Sequence, residues 1–185
     1  PKLPTVDPEH TVRSICDRLV ERGASSAIVV SPEGDEAAAS AVLIARDLAD
    51  RGLRSILLDL TSTGSASHPM VDGFALPGIT NLLASQAQFR DVIHTDPYSG
   101  AHVMPNGTAD PALAMRAVER LPIILNALTT AYDIVIVECG PADAKGIARL
   151  VTPGAEIIMS VVDPADPSIV KNASALQDAG YEDIL

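Results

Sequence analysis

The sequence predicts an α/β protein with a mostly parallel, doubly wound sheet, and three observations indicate this fold class. Short apolar runs are each bounded by turn residues, which is typical of strands buried on both faces of a parallel sheet. Longer helix-forming stretches alternate with these runs, as in right-handed βαβ units. Gly23, Gly52 and Gly180 follow three of those stretches, where left-handed C-terminal caps are expected. We therefore expect helices on both faces of the sheet, a three-layer sandwich.

The elements are predicted from these patterns in chain order. The predicted strands are 27–30, 55–60, 134–137 and 157–162, and the predicted helices are 8–22, 36–51, 112–131 and 167–179. The segment 61–111 is rich in Gly, Pro, Ser and His, and it reads as an irregular insertion with one short helix near 79–84. We expect 1–185 to form a single domain. Because the chain begins Pro-Lys-Leu-Pro without Met, we expect it to be part of a longer protein.

Composition argues against several classes of partner. Thirteen basic residues against 24 acidic ones give a formal net charge of −11, so nucleic acid and anionic membrane surfaces would repel the chain. No apolar run approaches the ~20 residues that span a bilayer, so direct membrane insertion is not expected. Cys16 and Cys139 lack metal-ligand spacing, which indicates a reducing, cytoplasmic compartment.

Functional residues are expected at the carboxyl ends of the strands, beside helix N-termini, where open α/β sheets bind ligands. The segments predicted to meet there are 31–40, 59–64, 138–143 and 163–167. The first of them, SPEGDEAAAS, occupies the place of a glycine-rich phosphate loop, yet it contains no lysine.

Taken in order, these segments resemble a known family. Residues 27–60, AIVVSPEGDEAAASAVLIARDLADRGLRSILLDL, resemble the opening of MinD/ParA-class P-loop ATPases. They resemble still more closely the bacterial tyrosine-kinase-like domains of exopolysaccharide synthesis and export, the CpsD/CapB type. The stretches LPGITNLLASQAQFRDVIHTDPYSGAHVMPNGTADPALAM and YDIVIVECGPAD resemble that family's middle segment and a later strand. The resemblance covers about 9–162 and implies a fold of the P-loop NTPase type. It also implies attachment to a membrane-spanning polysaccharide co-polymerase, in the same or a partner chain, at the inner face of the bacterial inner membrane.

The phosphate loop departs from the family's pattern. A working loop, G-x-x-x-x-G-K-[ST], wraps phosphates with backbone N–H groups, bridges them with Lys and holds Mg²⁺ with Ser/Thr. Aligned through the downstream RGLRSILLD, the second glycine falls on Glu36, the lysine on Ala37, and the Ser/Thr pair on Ala38 and Ala39. Two like charges ~4 Å apart repel by about 4 kcal/mol at an effective dielectric constant of ~20, roughly 1,000-fold in affinity. The degenerate loop, not expected to bind nucleotide, comprises Ser31, Gly34, Asp35, Glu36, Ala37, Ala38 and Ala39.

The same loop has a purely structural interpretation. Acidic side chains stabilise a helix N-terminus, so Asp35 and Glu36 satisfy the helix dipole themselves. Asp35 is also placed to cap the helix. We therefore expect a well-capped helix start rather than an anion-binding site.

The acidic motifs are altered more mildly. The family's second-strand D-x-D keeps only Asp59, and its Walker B-type aspartate becomes Glu138, whose carboxylate reaches one methylene further. Asp143 lies near the position, close to Gly146, of a further family carboxylate. These three acids are weak candidates for a cation site, and we expect no metal. His68, His94 and His102 show no metal-ligand spacing either.

Together, the resemblance and its departures predict a catalytically silent, tyrosine-kinase-like domain without catalytic residues or cofactor. Its expected role is as a regulatory or scaffold module in exopolysaccharide chain-length control or export. Two alternatives stay open: an active ATPase or tyrosine kinase that binds Mg-ATP through a deviant loop, and a MinD/ParA-like partitioning protein that has lost its nucleotide. The family's ring-forming E-x-x-R-x-x-R helix keeps Glu9 but has Val12 and Ile15 at the arginine positions. Oligomers are therefore possible, but ring assembly through that contact is not expected.

Overall fold

A computed structural model describes residues 11–73 and 75–185, and it confirms the predicted α/β fold. Six strands in this part of the chain form one sheet in the order β3-β4-β2-β5-β1-β6, and every neighbouring pair is parallel except β3 with β4. The strands are β1 Ser26–Val30, β2 Ser55–Asp59, β3 His94–Thr95, β4 His102–Met104, β5 Ile134–Glu138 and β6 Ala155–Met159.

Helices cover both faces of this sheet. They are α1 Val12–Glu21, α2 Asp35–Asp50, α3 Ile79–Leu83, α4 Phe89–Val92, α5 Pro111–Arg116, α6 Leu121–Ala131, α7 Ala144–Ile147 and α8 Pro167–Asp178, with 3-10 turns at His68–Met70 and Val118–Arg120. No helix in 11–73 and 75–185 is long and apolar enough to cross a membrane.

Successive side chains of each strand point to opposite faces of the sheet, so two apolar cores form, one on each face. In β1, Ala27 and Val29 join a cluster that includes α1 and α2, whereas Ile28 and Val30 join a cluster with α6 on the other face. Because both faces are covered, the central strands are apolar almost without interruption, as the sequence indicated. This three-layer packing aligns the carboxyl ends of β1, β2, β5 and β6 along one edge of the sheet.

Several predicted boundaries were wrong. The helix predicted at 112–131 is two helices separated by a 3-10 turn. Pro122 lacks the N–H that an interior helical position needs, so a new helix starts around it. The strand predicted at 157–162 runs from Ala155 to Met159, and the amides of Val162 and Asp163 bond to the Glu33 side chain instead of the ladder. Of the helix predicted at 8–22, residues 8–10, including Glu9, lie outside the described part.

The segment 61–111 is more regular than the sequence indicated. It contributes β3 and β4, and β4 pairs with β2 inside the sheet. The short helix predicted near 79–84 is present as α3. Asn81 ties this helix to the chain after β4, since its Oδ1 accepts from the amides of Gly78 at 3.0 Å and Thr108 at 2.9 Å.

Candidate functional site

The loop between β1 and α2 is a tight turn rather than an open cradle. Gly34 donates its amide to the carbonyl of Ser31 at 3.0 Å, Ser31 donates to the carbonyl of Gly140 at 2.9 Å, and Pro32 has no N–H. Gly34 has φ +82°, a left-handed conformation that favours glycine. Helix α2 then begins at Asp35, one residue before the position of the motif's second glycine. These backbone donors are therefore already bonded within the protein.

Asp35 does not cap α2, contrary to the sequence-based expectation. The N-cap residue is Gly34, and Asp35 is the first helical residue. Its Oδ1 accepts hydrogen bonds from the hydroxyls of Thr63 at 2.8 Å and Ser65 at 3.0 Å. The carboxylate still lies in the first helical turn, where the dipole favours it, but its hydrogen bonds hold the loop after β2 against α2.

The positions aligned with the motif's lysine and with the first residue of its Ser/Thr pair are packed. Ala37 and Ala38 are 1% and 0% exposed. The carbonyl of Ala37 accepts from the Ser160 hydroxyl at 2.7 Å, and Ser160 Oγ in turn accepts from the Ser40 hydroxyl at 2.9 Å. Glu36 and Ala39 are exposed, so the only charge among these aligned positions is the Glu36 carboxylate.

Glu33 was not singled out by the sequence, although it makes the most specific contact of this loop. Its carboxylate accepts hydrogen bonds from the backbone amides of Val162 at 2.5 Å and Asp163 at 2.8 Å, on the loop that follows β6. Paired backbone amides of this kind form the concavities that bind anionic ligands. Here the Glu33 carboxylate, and not a ligand, accepts the hydrogen bonds from these two amides. No local motif announces the contact, because its partners are 129 and 130 residues away in sequence.

Asp59 is fully buried at the end of β2, and its carboxylate organises the loop that follows. Oδ1 accepts from the Thr61 amide at 2.9 Å and the Thr61 hydroxyl at 2.6 Å, and Oδ2 accepts from the Ser67 amide at 2.8 Å. Both carboxylate oxygens are thus engaged in structural hydrogen bonds.

Glu138 lies beside Asp59 in the register of β2 and β5 and is also fully buried. Its Oε1 accepts from the Gly140 amide at 2.9 Å. Burial raises the pKa of Glu138 to about 7; the Asp59 charge also raises it, while the Gly140 amide and the nearby Ser31 hydroxyl lower it. Neither Glu138 Oε2 nor Ser31 Oγ has a hydrogen-bond partner with good geometry among the described residues. Glu138 therefore carries a proton for much of the time near neutral pH.

The third candidate acid has a separate role. Asp143 is exposed and caps α7, with Oδ1 accepting from the Gly146 amide at 2.7 Å. Across residues 11–73 and 75–185, no three His, Cys, Asp or Glu side chains are grouped so that they could hold a metal ion. Only Asp59 and Glu138, of the three acids, are neighbours in the register of the sheet.

The other reactive side chains are engaged elsewhere. His94 Nε2 lies 3.0 Å from the carbonyl of Pro77, and His102 Nδ1 lies 2.7 Å from the Tyr132 hydroxyl. Burial raises the pKa of the Cys139 thiol, with a smaller contribution from Glu138, so this cysteine stays protonated and is a poor nucleophile.

The fold and this edge of the sheet place the chain in a recognisable structural class. No family model and no curated protein sequence matches the chain. Solved structures, however, match it over most of its length. The kinase domain of VpsO is 20% identical with a TM-score of 0.75, covering 89% of this chain and 85% of that chain. The tyrosine kinase domain of BceF is 22% identical with a TM-score of 0.72, covering 94% and 73%.

A more distant similarity reaches the MinD class. The septum site-determining protein MinD from Pyrococcus horikoshii, complexed with Mg-ADP, is 20% identical with a TM-score of 0.61, covering 86% of this chain and 68% of that chain. The predicted resemblance is therefore confirmed for the fold, an α/β sandwich shared with bacterial tyrosine kinase domains and MinD-type P-loop ATPases. At these identities, the similarity shows the fold and not the activity.

Proposed function

We propose that the chain is a catalytically silent, tyrosine-kinase-like domain that acts as a regulatory or scaffold module in exopolysaccharide chain-length control or export. It would work in the cytoplasm at the inner face of the membrane, bound to a membrane-spanning co-polymerase segment in the same or a partner chain. The fold shared with the VpsO and BceF kinase domains supports the polysaccharide setting.

The 31–39 loop carries the proposal of silence. The Gly34 amide closes a tight turn, Ala37 and Ala38 are buried, and Glu36 leaves a negative charge at the helix N-terminus. One missing group could be supplied by a partner, but this loop lacks the lysine, the metal-binding hydroxyl and the glycine together. The phosphates of a nucleoside triphosphate would be repelled by the Glu36 carboxylate and would find no lysine to bind them.

Titration calorimetry tests nucleotide binding directly. We expect no heat of binding for Mg-ATP or Mg-ADP at concentrations up to about 1 mM, because the repulsion costs roughly 1,000-fold in affinity. Pyrococcus horikoshii MinD, whose structure holds Mg-ADP, is the positive control with the same fold. Micromolar affinity for either nucleotide would support the active-enzyme alternative and contradict silence.

Complementation in cells tests the scaffold role. Deleting the gene should shift the chain-length distribution of the exopolysaccharide, measured by gel electrophoresis, and the wild-type gene should restore it. A Glu138→Gln gene should restore it equally well, because a silent domain does not need the Walker B-type acid. An unchanged polymer in the deletion strain would refute the polysaccharide role, and failure of Glu138→Gln alone would indicate catalysis.

A further inference from the structure

A cavity of about 450 Å³ lies at the amino ends of β2 and β4, the opposite edge of the sheet from the 31–39 loop. Ser55 and His102, the first residues of these strands, line it together with the last turn of α6. A five-residue strand such as β2 spans roughly 16 Å, so the cavity is distinct from the site described above. Its volume falls within the ~300–1,000 Å³ of small-molecule sites.

The walls of the cavity are apolar and unusually aromatic for this chain. Phe89, Ile93, Leu128 and Tyr132 contribute to them. With only two Phe and three Tyr and no Trp in the sequence, two of its few aromatic side chains lie at this one place. Planar apolar surface of this kind suits an aromatic ring.

The polar groups of the cavity favour an anion. His102 Nδ1 lies 2.7 Å from the Tyr132 hydroxyl, and the two rings meet edge to face with centroids 5.6 Å apart. When the Tyr132 hydroxyl donates to Nδ1, Nε2 carries the proton and can donate a hydrogen bond.

Arg54 supplies the positive charge. Its NH2 and Nε bond to Asp133 at 2.8 and 3.3 Å, an ion pair that does not use NH1. The side chains that line the cavity include no carboxylate, although the chain has 24 acidic residues against 13 basic ones. Arg54 is thus the one Arg or Lys in the cavity lining, and because its ion pair with Asp133 offsets its charge, NH1 is the group through which it can donate a hydrogen bond to an anion.

We propose that this cavity binds a small aromatic carboxylate, with its ring between Phe89 and Leu128 and its carboxylate held by Arg54 and the Nε2–H of His102. The apolar walls select the ring, and the two donors select the anion.

Benzoate is the probe, with benzyl alcohol and acetate as matched compounds that lack the charge or the ring. In NMR titrations of the whole chain, benzoate should saturate shifts at the amides of Gly100 and Ala131 and at the His102 ring. Binding of so small a ligand is expected in the millimolar range, and both control compounds should bind at least about tenfold more weakly. Absence of saturation up to about 20 mM would overturn the site, and equal binding of benzyl alcohol or acetate would overturn the ligand class.

Two independent variants keep the test decisive. Ala127→Leu fills the cavity from the exposed face of α6 and should weaken benzoate at least about tenfold, whereas Ala175→Leu on α8 should not. Arg54→Gln should weaken benzoate to a similar extent, and Arg149→Gln should leave it unchanged. Thermal melting verifies that each variant is folded. Wild-type affinity in both folded cavity variants would refute the proposal.

Discussion

The pKa of Glu138 makes the stability of the protein depend on pH. The side chain is fully buried next to Asp59, and burial raises its pKa from the ordinary 4.5 to about 7. The folded protein therefore binds this proton more tightly than the unfolded chain does between those pH values. The stability that this group contributes is fully present below about pH 4.5 and is lost as the pH rises through 7.

Glu138→Gln should remove that pH dependence. Gln keeps the shape without the charge, so the free energy of unfolding should exceed that of the wild type by about 2–3 kcal/mol at pH 8. The gain should disappear below about pH 4.5, as measured by urea unfolding across the pH range.

Glu119→Gln is the matched control, because the Glu119 side chain is 86% exposed and should change stability little. A wild-type stability that stays flat between pH 4.5 and 8, beyond the drift of this control, would contradict the raised pKa.

At the scale of elements, the N-terminus of α2 is held by the protein's own carboxylates. Asp35 joins it to the loop after β2, and Glu33 joins the preceding turn to the loop after β6. The turn before α2 and the loops after β2 and β6 are thus bonded to one another through internal carboxylates.

Glu33→Gln should loosen the loop after β6. Gln has one acceptor oxygen in place of two, so one of the two amide hydrogen bonds is lost and the other loses its charge assistance. The free energy of unfolding should therefore fall by about 1 kcal/mol. The amides of Val162 and Asp163 should exchange with deuterium roughly fivefold faster in that variant, as measured by hydrogen-exchange mass spectrometry.

Glu36→Gln makes the same chemical change three residues away, on a side chain that is exposed. It should shift stability by less than about 0.5 kcal/mol and leave the exchange of Val162 unaltered. Identical exchange in the two variants would show that the Glu33 contact does not hold the loop.

At the scale of the whole molecule, stability depends on a sheet that separates two apolar cores. With no Trp and few other aromatics, these cores are built from aliphatic side chains and alanine. Buried alanines of α2, such as Ala41 and Ala45, keep the side chains small where that helix packs on the sheet. The central strands therefore contribute buried apolar side chains to both faces.

Ile136→Ala should lower the free energy of unfolding by about 3–4 kcal/mol, because it leaves a cavity at a position of β5 that is 0% exposed. Ile123→Ala removes the same atoms from a side chain of α6 that is 72% exposed and should cost less than about 0.5 kcal/mol. Chemical denaturation of both variants measures the difference, and comparable losses would contradict the difference in burial between the two side chains.

The sequence by itself determined the alternation of the four longest strands with the longer helices, the doubly wound fold and the absence of lysine from the 31–39 loop. Each of these depends on residue types and their spacing over short stretches, where apolar periodicity and turn residues can be recognised directly in the sequence. The break between α5 and α6 also has a local signal, because Pro122 favours the start of a helix. The continuous apolar pattern around it led instead to the prediction of one uninterrupted helix.

Only the tertiary structure decided which polar groups meet. The Glu33 contact with the Val162 amide spans 129 residues, β4 pairs with β2 across the 61–111 segment, and Asp59 lies beside Glu138 through the register of distant strands. Asp35 was predicted as a cap and instead binds two hydroxyls, because folding brought Thr63 and Ser65 within reach. Such contacts join residues that are far apart in the sequence. Because a long-range hydrogen bond requires no repeating pattern in the residues around either partner, the sequence does not reveal it.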